Sequence, residues 1–135
     1  VFDFSSQGIT KTRKAMYENR FAPITNSIAV LPFQDMSSEK DQEYFCDGIA
    51  EEIINALVHV GSLKVIARTS AFAFKNQNVD MREIGQRLNV ETLLEGSVRK
   101  DSNRIRITAQ LIKTDDGTHL WSERFDGNLD DIFAI

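Results

Sequence analysis

Apolar and polar positions in this chain repeat with two periods, and the change of period marks where helices give way to strands. From Asp47 to Val60 (DGIAEEIINALVHV) the spacing is helical: Ile49, Ile53, Leu57 and Val60 share one face. Ala50, Ile54 and Ala56 widen that face, while Glu52, Asn55 and His59 lie opposite. Asp47 is placed to cap the helix, with Glu51 and Glu52 in the first turn, where the helix dipole favours carboxylates. Gly61 is placed to end it in a left-handed conformation. So broad a stripe needs a flat apolar support, and the rest of the pattern supplies a sheet.

Ser27 to Phe33 (SIAVLPF) is a nearly continuous apolar run, as in a central strand buried on both faces, with Pro32 at its exit. Leu63 to Ala67 reads as a second strand, and Phe72 and Phe74 alternate with small residues as in an extended segment. Asp80 opens a second helix with Glu83 completing a capping box, a stripe of Met81, Ile84 and Leu88, and Asn89 as the stop. Strict alternation follows. Leu94, Gly96 and Val98 interleave with Glu95, Ser97 and Arg99. After a turn at Asp101-Ser102-Asn103, Ile105, Ile107, Ala109 and Leu111 interleave with Arg104, Arg106, Thr108 and Gln110. This is a hairpin with one buried and one wet face. Asp115-Asp116-Gly117 turns the chain again, the glycine supplying a positive φ, and His119 to Phe125 is the next strand. The order β-α-β-α-β-β-β predicts an α/β (α+β) fold, two helices on a mixed sheet of about five strands.

Composition narrows this further. The 135 residues suffice for one domain with a real core, and 41% hydrophobic with 27% charged residues is ordinary for a globular protein. A net charge of −4 argues against a nucleic-acid backbone as partner. Residues 1–26 stand apart: Lys11, Arg13, Lys14 and Arg20 against Asp3 and Glu18 give +2, which leaves −6 for the remainder of the total of −4. We read 1–26 as a linker or juxtamembrane segment, with at most a short helix from Thr10 to Arg20, and 27–135 as the domain. The first residue is Val, and the apolar run Asp130 to Ile135 stops without a helix terminator, so a fragment of a longer protein is expected. No run has the length of a membrane span, none reads as a signal peptide, and one cysteine excludes an internal disulfide.

Candidate chemistry is sparse. Cys46 adjoins the start of the main helix, where the dipole would favour thiolate, but it has no base nearby in sequence and reads as packing. His59 and His119 come from unrelated elements and do not form a metal-ligand spacing. Asp35, Asp41, Glu43 and Asp47 miss the calcium-loop pattern, because position 46 lacks the required glycine. The acidic, glycine-free loop Gln34 to Glu43 would repel phosphate. No catalytic residue, metal or cofactor is assigned. The wet hairpin face is the candidate for ligand or partner binding through Arg99, Arg104, Arg106 and Gln110, extended by Trp121, Glu123 and Phe125 if the last strand pairs in register. Arginines directly opposite one another repel, so an acidic neighbour is expected there. Arg68, in Arg68-Thr69-Ser70, is a second candidate.

Six segments in order, SIAVLPF, EYFCDGIAEEIINAL, LKVIARTSAFAF, LEGSVRK, RIRITAQLI and HLWSERFD, resemble the TolB amino-terminal-like domain, also described as FlgO-like, of bacterial envelope and signalling proteins. The resemblance runs from Ser27 to the end; Cys46 departs from it, standing where relatives usually carry a small hydroxyl residue. It implies a sandwich like the anticodon-binding domains. It also implies a place between an amino-terminal cyclase or winged-helix domain and carboxy-terminal tetratricopeptide repeats, often after a membrane span. No catalytic set comes with it. The expectation is therefore a non-catalytic interaction or sensor domain, with protein partners or neighbouring domains and no nucleic acid. The alternative is a sensor of a small anionic ligand held by the hairpin arginines, regulating an attached cyclase or DNA-binding domain. A periplasmic location follows from the resemblance, with the cytoplasm as alternative because the basic segment 1–26 favours that side of a membrane.

Overall fold

The computed structural model describes residues 24–128, so the short helix expected within Thr10 to Arg20 and the run from Asp130 lie outside the described residues. The first strand, β1 (Ile24–Val30), starts three residues ahead of expectation and stops short of Pro32. Proline has no N–H to donate, so the ladder breaks there. It resumes on the same neighbour as a two-residue strand, β2 (Gln34–Asp35), in what the sequence presented as loop. Opposite the break stands Gly96, and the buried Phe33 ring lies against it; a Cβ there would overlap that ring and the Thr108 carbonyl oxygen.

The main helix, α1 (Glu43–Val58), begins a turn earlier than the sequence indicated, and Asp47 is not its cap. Asp35 does that work from a distance: its carboxylate accepts the backbone N–H of Gln42 at 2.6 Å and of Ser37 at 2.9 Å. Burial pushes the Asp35 carboxyl up, but these N–H groups and Lys40 hold it below the usual range. The buried line of α1 is Cys46, Ala50 and Ile54, flanked by the partly buried Ile49, Ile53 and Leu57. Val60 lies past the helix end, exposed. Gly61 takes no left-handed conformation: His59 ends the helix right-handed, and successive turns (Val60 N–H to Leu57 at 2.9 Å, Leu63 N–H to Val60 at 3.0 Å) lead away.

The strand β3 (Lys64–Val65) pairs parallel with β1. The following Phe72–Phe74 alternation is not extended structure. Arg68–Phe72 forms a short helix, α2, in which the fully buried Ala71 is core and not spacer. Arg68 stacks over Phe72 one turn on, 4.6 Å from the ring centre, as helical i,i+4 spacing favours. The next helix, α3 (Met81–Leu88), is where local chemistry put it: Asp80 accepts the Arg82 N–H at 2.8 Å, and Asn89 closes it left-handed with φ of 54°.

Three long strands complete the sheet: β4 (Val90–Asp101), β5 (Arg104–Lys113) and β6 (His119–Asn128). Gly117 carries the expected positive φ, 73°, in the β5–β6 turn. The order is β3-β1-β4-β5-β6, with β2 also on β4; β1, β2 and β4 run parallel, while β5 and β6 are antiparallel additions. The α+β class therefore holds, with three helices and six strands among the described residues where two helices and about five strands were expected. On one face Ile28, Val30, Leu94, Val98, Ile105 and Ala109 meet α1. On the other, Ala29, Leu31, Val90 and Leu93 meet Ala71 of α2 and Ile84 of α3. That second face is covered only near the start of β4.

Candidate functional site

The uncovered part of the second face belongs to β4, β5 and β6. Strand register puts Glu95 opposite Gln110, Ser97 opposite Thr108, Arg99 opposite Arg106 and Asp101 opposite Arg104. On the other side of β5, Ser122 faces Gln110, Arg124 faces Thr108 and Asp126 faces Arg106. Side chains alternate along a strand, so all of these share one face. The arginines at 99 and 106 do oppose one another, and the acidic neighbour their repulsion called for is Asp126. Arg106 Nε donates to its Oδ1 at 2.7 Å, and Arg124 Nε lies 3.4 Å from Oδ2. The Arg106 hydrogen bond foremost, then the charges of Arg106, Arg124 and Arg104, hold the Asp126 carboxyl below its usual range. Among the described residues, Arg99 and Arg104 form no ion pair.

Trp121 does not extend this surface. It pairs with Leu111, Glu123 with Ala109 and Phe125 with Ile107, which puts all three on the α1 face. An extra residue at Leu120, between the Ile112–His119 and Leu111–Trp121 pairs, returns His119 to the polar face. Trp121 and Phe125 stay 43% and 56% exposed beyond the cover of α1. Arg68 is elsewhere again: it pairs with Glu51, tying α2 to α1. The structure thus brings together Arg99, Arg104, Arg106 and Gln110, adds Arg124, and separates Trp121 and Arg68 from them.

The other candidates are occupied. Cys46 is fully buried, and burial, followed by the charges of Asp35 and Asp47, pushes its thiol up to about 12. Asp41 lies 3.3 Å from Lys100, and Lys75 reaches across to Asp47 at 2.6 Å and Glu43 at 2.7 Å. Asp47 and then Glu43 raise the Lys75 ammonium, while Asp47 Oδ1 is buried without a hydrogen bond. Among the described residues no three His, Cys, Asp or Glu side chains gather as a metal site, and no helix is long and apolar enough to cross a membrane. Sequence reasoning missed a cavity of about 630 Å³ between the polar strands and the chain joining α2 to α3. Gln110 is the one expected binding residue in its lining.

Residues 24–133 match the family described as HilA/YgeH-like transcriptional regulator, second domain. The chain belongs to that family. A protein of Rhizobium meliloti (strain 1021) named "Putative adenylate cyclase 3" is 53% identical to this HilA/YgeH-like domain over 113 residues. The match takes in 84% of the chain and spans 19% of that protein's length. Two solved structures share the fold of the HilA/YgeH-like domain. Lipoprotein GNA1162 of Neisseria meningitidis has 17% identity and a TM-score of 0.62, over 76% of this chain and 80% of the other. TolB of Acinetobacter baumannii has 14% identity and a TM-score of 0.52, over 82% of this chain and 24% of TolB. The TolB-like architecture implied by the six segments is therefore the fold of the domain.

Proposed function

We propose that this HilA/YgeH-like domain is a non-catalytic interaction and sensor module of a bacterial multidomain signalling or envelope protein. The observation that carries the reading is the β4–β6 surface, where Arg99, Arg104, Arg106 and Arg124 share one end of a sheet face with two carboxylates, Asp101 and Asp126. Guanidinium groups in excess over acids, on a domain whose net charge is negative, favour an acidic partner surface. The exposed Trp121 and Phe125 on the other side of the β6 edge offer aromatic anchors to the same partner. Arg68, held by Glu51, is left out of the binding set.

The parent protein, in this reading, links the domain to an output unit and to tetratricopeptide repeats, as the FlgO-like resemblance implies. The cyclase-named relative, matched over only 19% of its length, supports a cyclase output, and the regulator family supports a DNA-binding one. Contact at the sheet surface shifts the output by binding two of its states unequally. We place the domain in the periplasm, supported by a fold shared with a lipoprotein. The family's description as a transcriptional regulator favours the cytoplasm instead, and alkaline phosphatase fusions to the parent decide between the two.

The test is capture of interacting proteins by the fragment and by an Arg104→Ala, Arg106→Ala double variant. Partners lost from the variant support the reading; an unchanged set removes the hairpin face from it. The same arginine excess favours a second reading, a small anionic ligand on that face. Inorganic phosphate competing with the captured partner would support it.

A further inference from the structure

The cavity lies on the same sheet face as the interaction surface just proposed, at the end away from Arg99, Arg104 and Arg106, and shares Gln110 with it. Its floor is a patch of two neighbouring strands: Glu95 opposite Gln110 and Ser97 opposite Thr108. Within the described chain none of these four side chains makes a hydrogen bond or ion pair. One carboxylate, two hydroxyls and one amide therefore present unused acceptors to the same space. The rest of the lining includes the apolar Leu31, Phe74, Val79 and Met81, and Arg87 holds Phe74 from behind at 5.8 Å from its ring centre.

Neither lysine of the lining, Lys40 or Lys75, pairs with Glu95. Lys75 is engaged by Glu43 and Asp47, and Lys40 donates to the Asp35 carbonyl oxygen at 2.9 Å. The remaining charge that Glu95 feels is that of His119, exposed on β6. Burial pushes the Glu95 carboxyl above its ordinary value, with His119 acting the other way. A half-buried carboxylate beside apolar walls regains by pairing what it lost in hydration, provided the partner brings its own apolar body.

We propose that this cavity is a binding site for a small organic cation: a planar amidinium or guanidinium head on an aromatic or aliphatic body. Glu95 is its counter-charge, Ser97, Thr108 and Gln110 accept its remaining N–H groups, and Phe74 and Met81 flank the body. A planar fork matches a carboxylate with two parallel hydrogen bonds, which a single ammonium does not. The volume, about 630 Å³, lies within the range of small-molecule sites and exceeds what one aromatic amidinium needs.

Benzamidine is a suitable probe, with benzoate as its anionic counterpart of the same shape. Each is titrated into the 135-residue chain while backbone amide signals are followed by NMR. Saturable shifts at Gly96, Ser97 and Thr108 with benzamidine, absent with benzoate, are expected. Glu95→Gln should weaken benzamidine binding by about tenfold or more, and Thr108→Val by a few-fold, with both variants keeping the parent spectrum elsewhere. Equal or better binding of benzoate would overturn the proposal. So would shifts that do not saturate or that scatter beyond the cavity, or an affinity untouched by Glu95→Gln.

Discussion

At the scale of single residues, position 96 shows how a local reading and a tertiary requirement separate. The alternation in LEGSVRK puts Gly96 on the buried side of its strand, but not that the Phe33 ring occupies the space a side chain would need. Gly96→Ala should cost about 1–3 kcal/mol or more in urea unfolding, because both the ring and the Thr108 carbonyl would have to move. Gly48 sits within α1 with nothing close to its missing side chain, so Gly48→Ala should instead stabilise by roughly 0.5–1 kcal/mol. Cys46, with its thiol pushed up to about 12, should resist a thiol reagent at neutral pH until denaturant unfolds the chain. Fast native-state labelling would contradict its burial. Glu95 binds its proton more tightly folded than unfolded, so its contribution to stability falls as pH rises from the unfolded carboxyl value through the folded one. Asp35, Asp80 and Asp126 work the opposite way, losing stability as pH falls. The difference between parent and Glu95→Gln melting curves isolates the Glu95 effect. The variant should melt higher at neutral pH, with the gap closing toward acid.

At the scale of elements, what was legible was what short-range chemistry decides. Asp80 and Asn89 bracket α3 because one caps with its own side chain and the other tolerates a left-handed backbone. Asn89→Ala should therefore destabilise by about 1 kcal/mol, whereas Asn89→Gly should cost little, as read by thermal melts. The start of α1 was not legible, since the carboxylate serving it belongs to Asp35, across a loop and on another strand. Asp47, which looked like the cap, is drawn to Lys75 from the other side of the fold. The short helix α2 hid for a related reason: Arg68 stacked on Phe72 and Ala71 in the core define it, and neither contact shows as alternation.

At the scale of the molecule, the fold class and the β4–β5 register followed from alternation, because a buried face fixes which residues point inward. The face taken by β6 did not follow, since it depends on the path of the turn after Lys113 and on the extra residue at Leu120. The arginine surface was visible as a pattern; Arg124 and Asp126 joined it only through that pairing, and the cavity arises from segments distant in sequence. The outcome is a sheet with one face packed against α1 as far as the β6 edge and the other half open along β4–β6, the surface proposed for contact. The most direct measurement is site-specific photo-crosslinking in cells expressing the parent protein, with the crosslinker at Arg124 on the open sheet or at Asn55 on the exposed side of α1. We expect discrete protein adducts from position 124 and none from 55. Adducts of equal yield from both positions, or none from 124, would contradict the account.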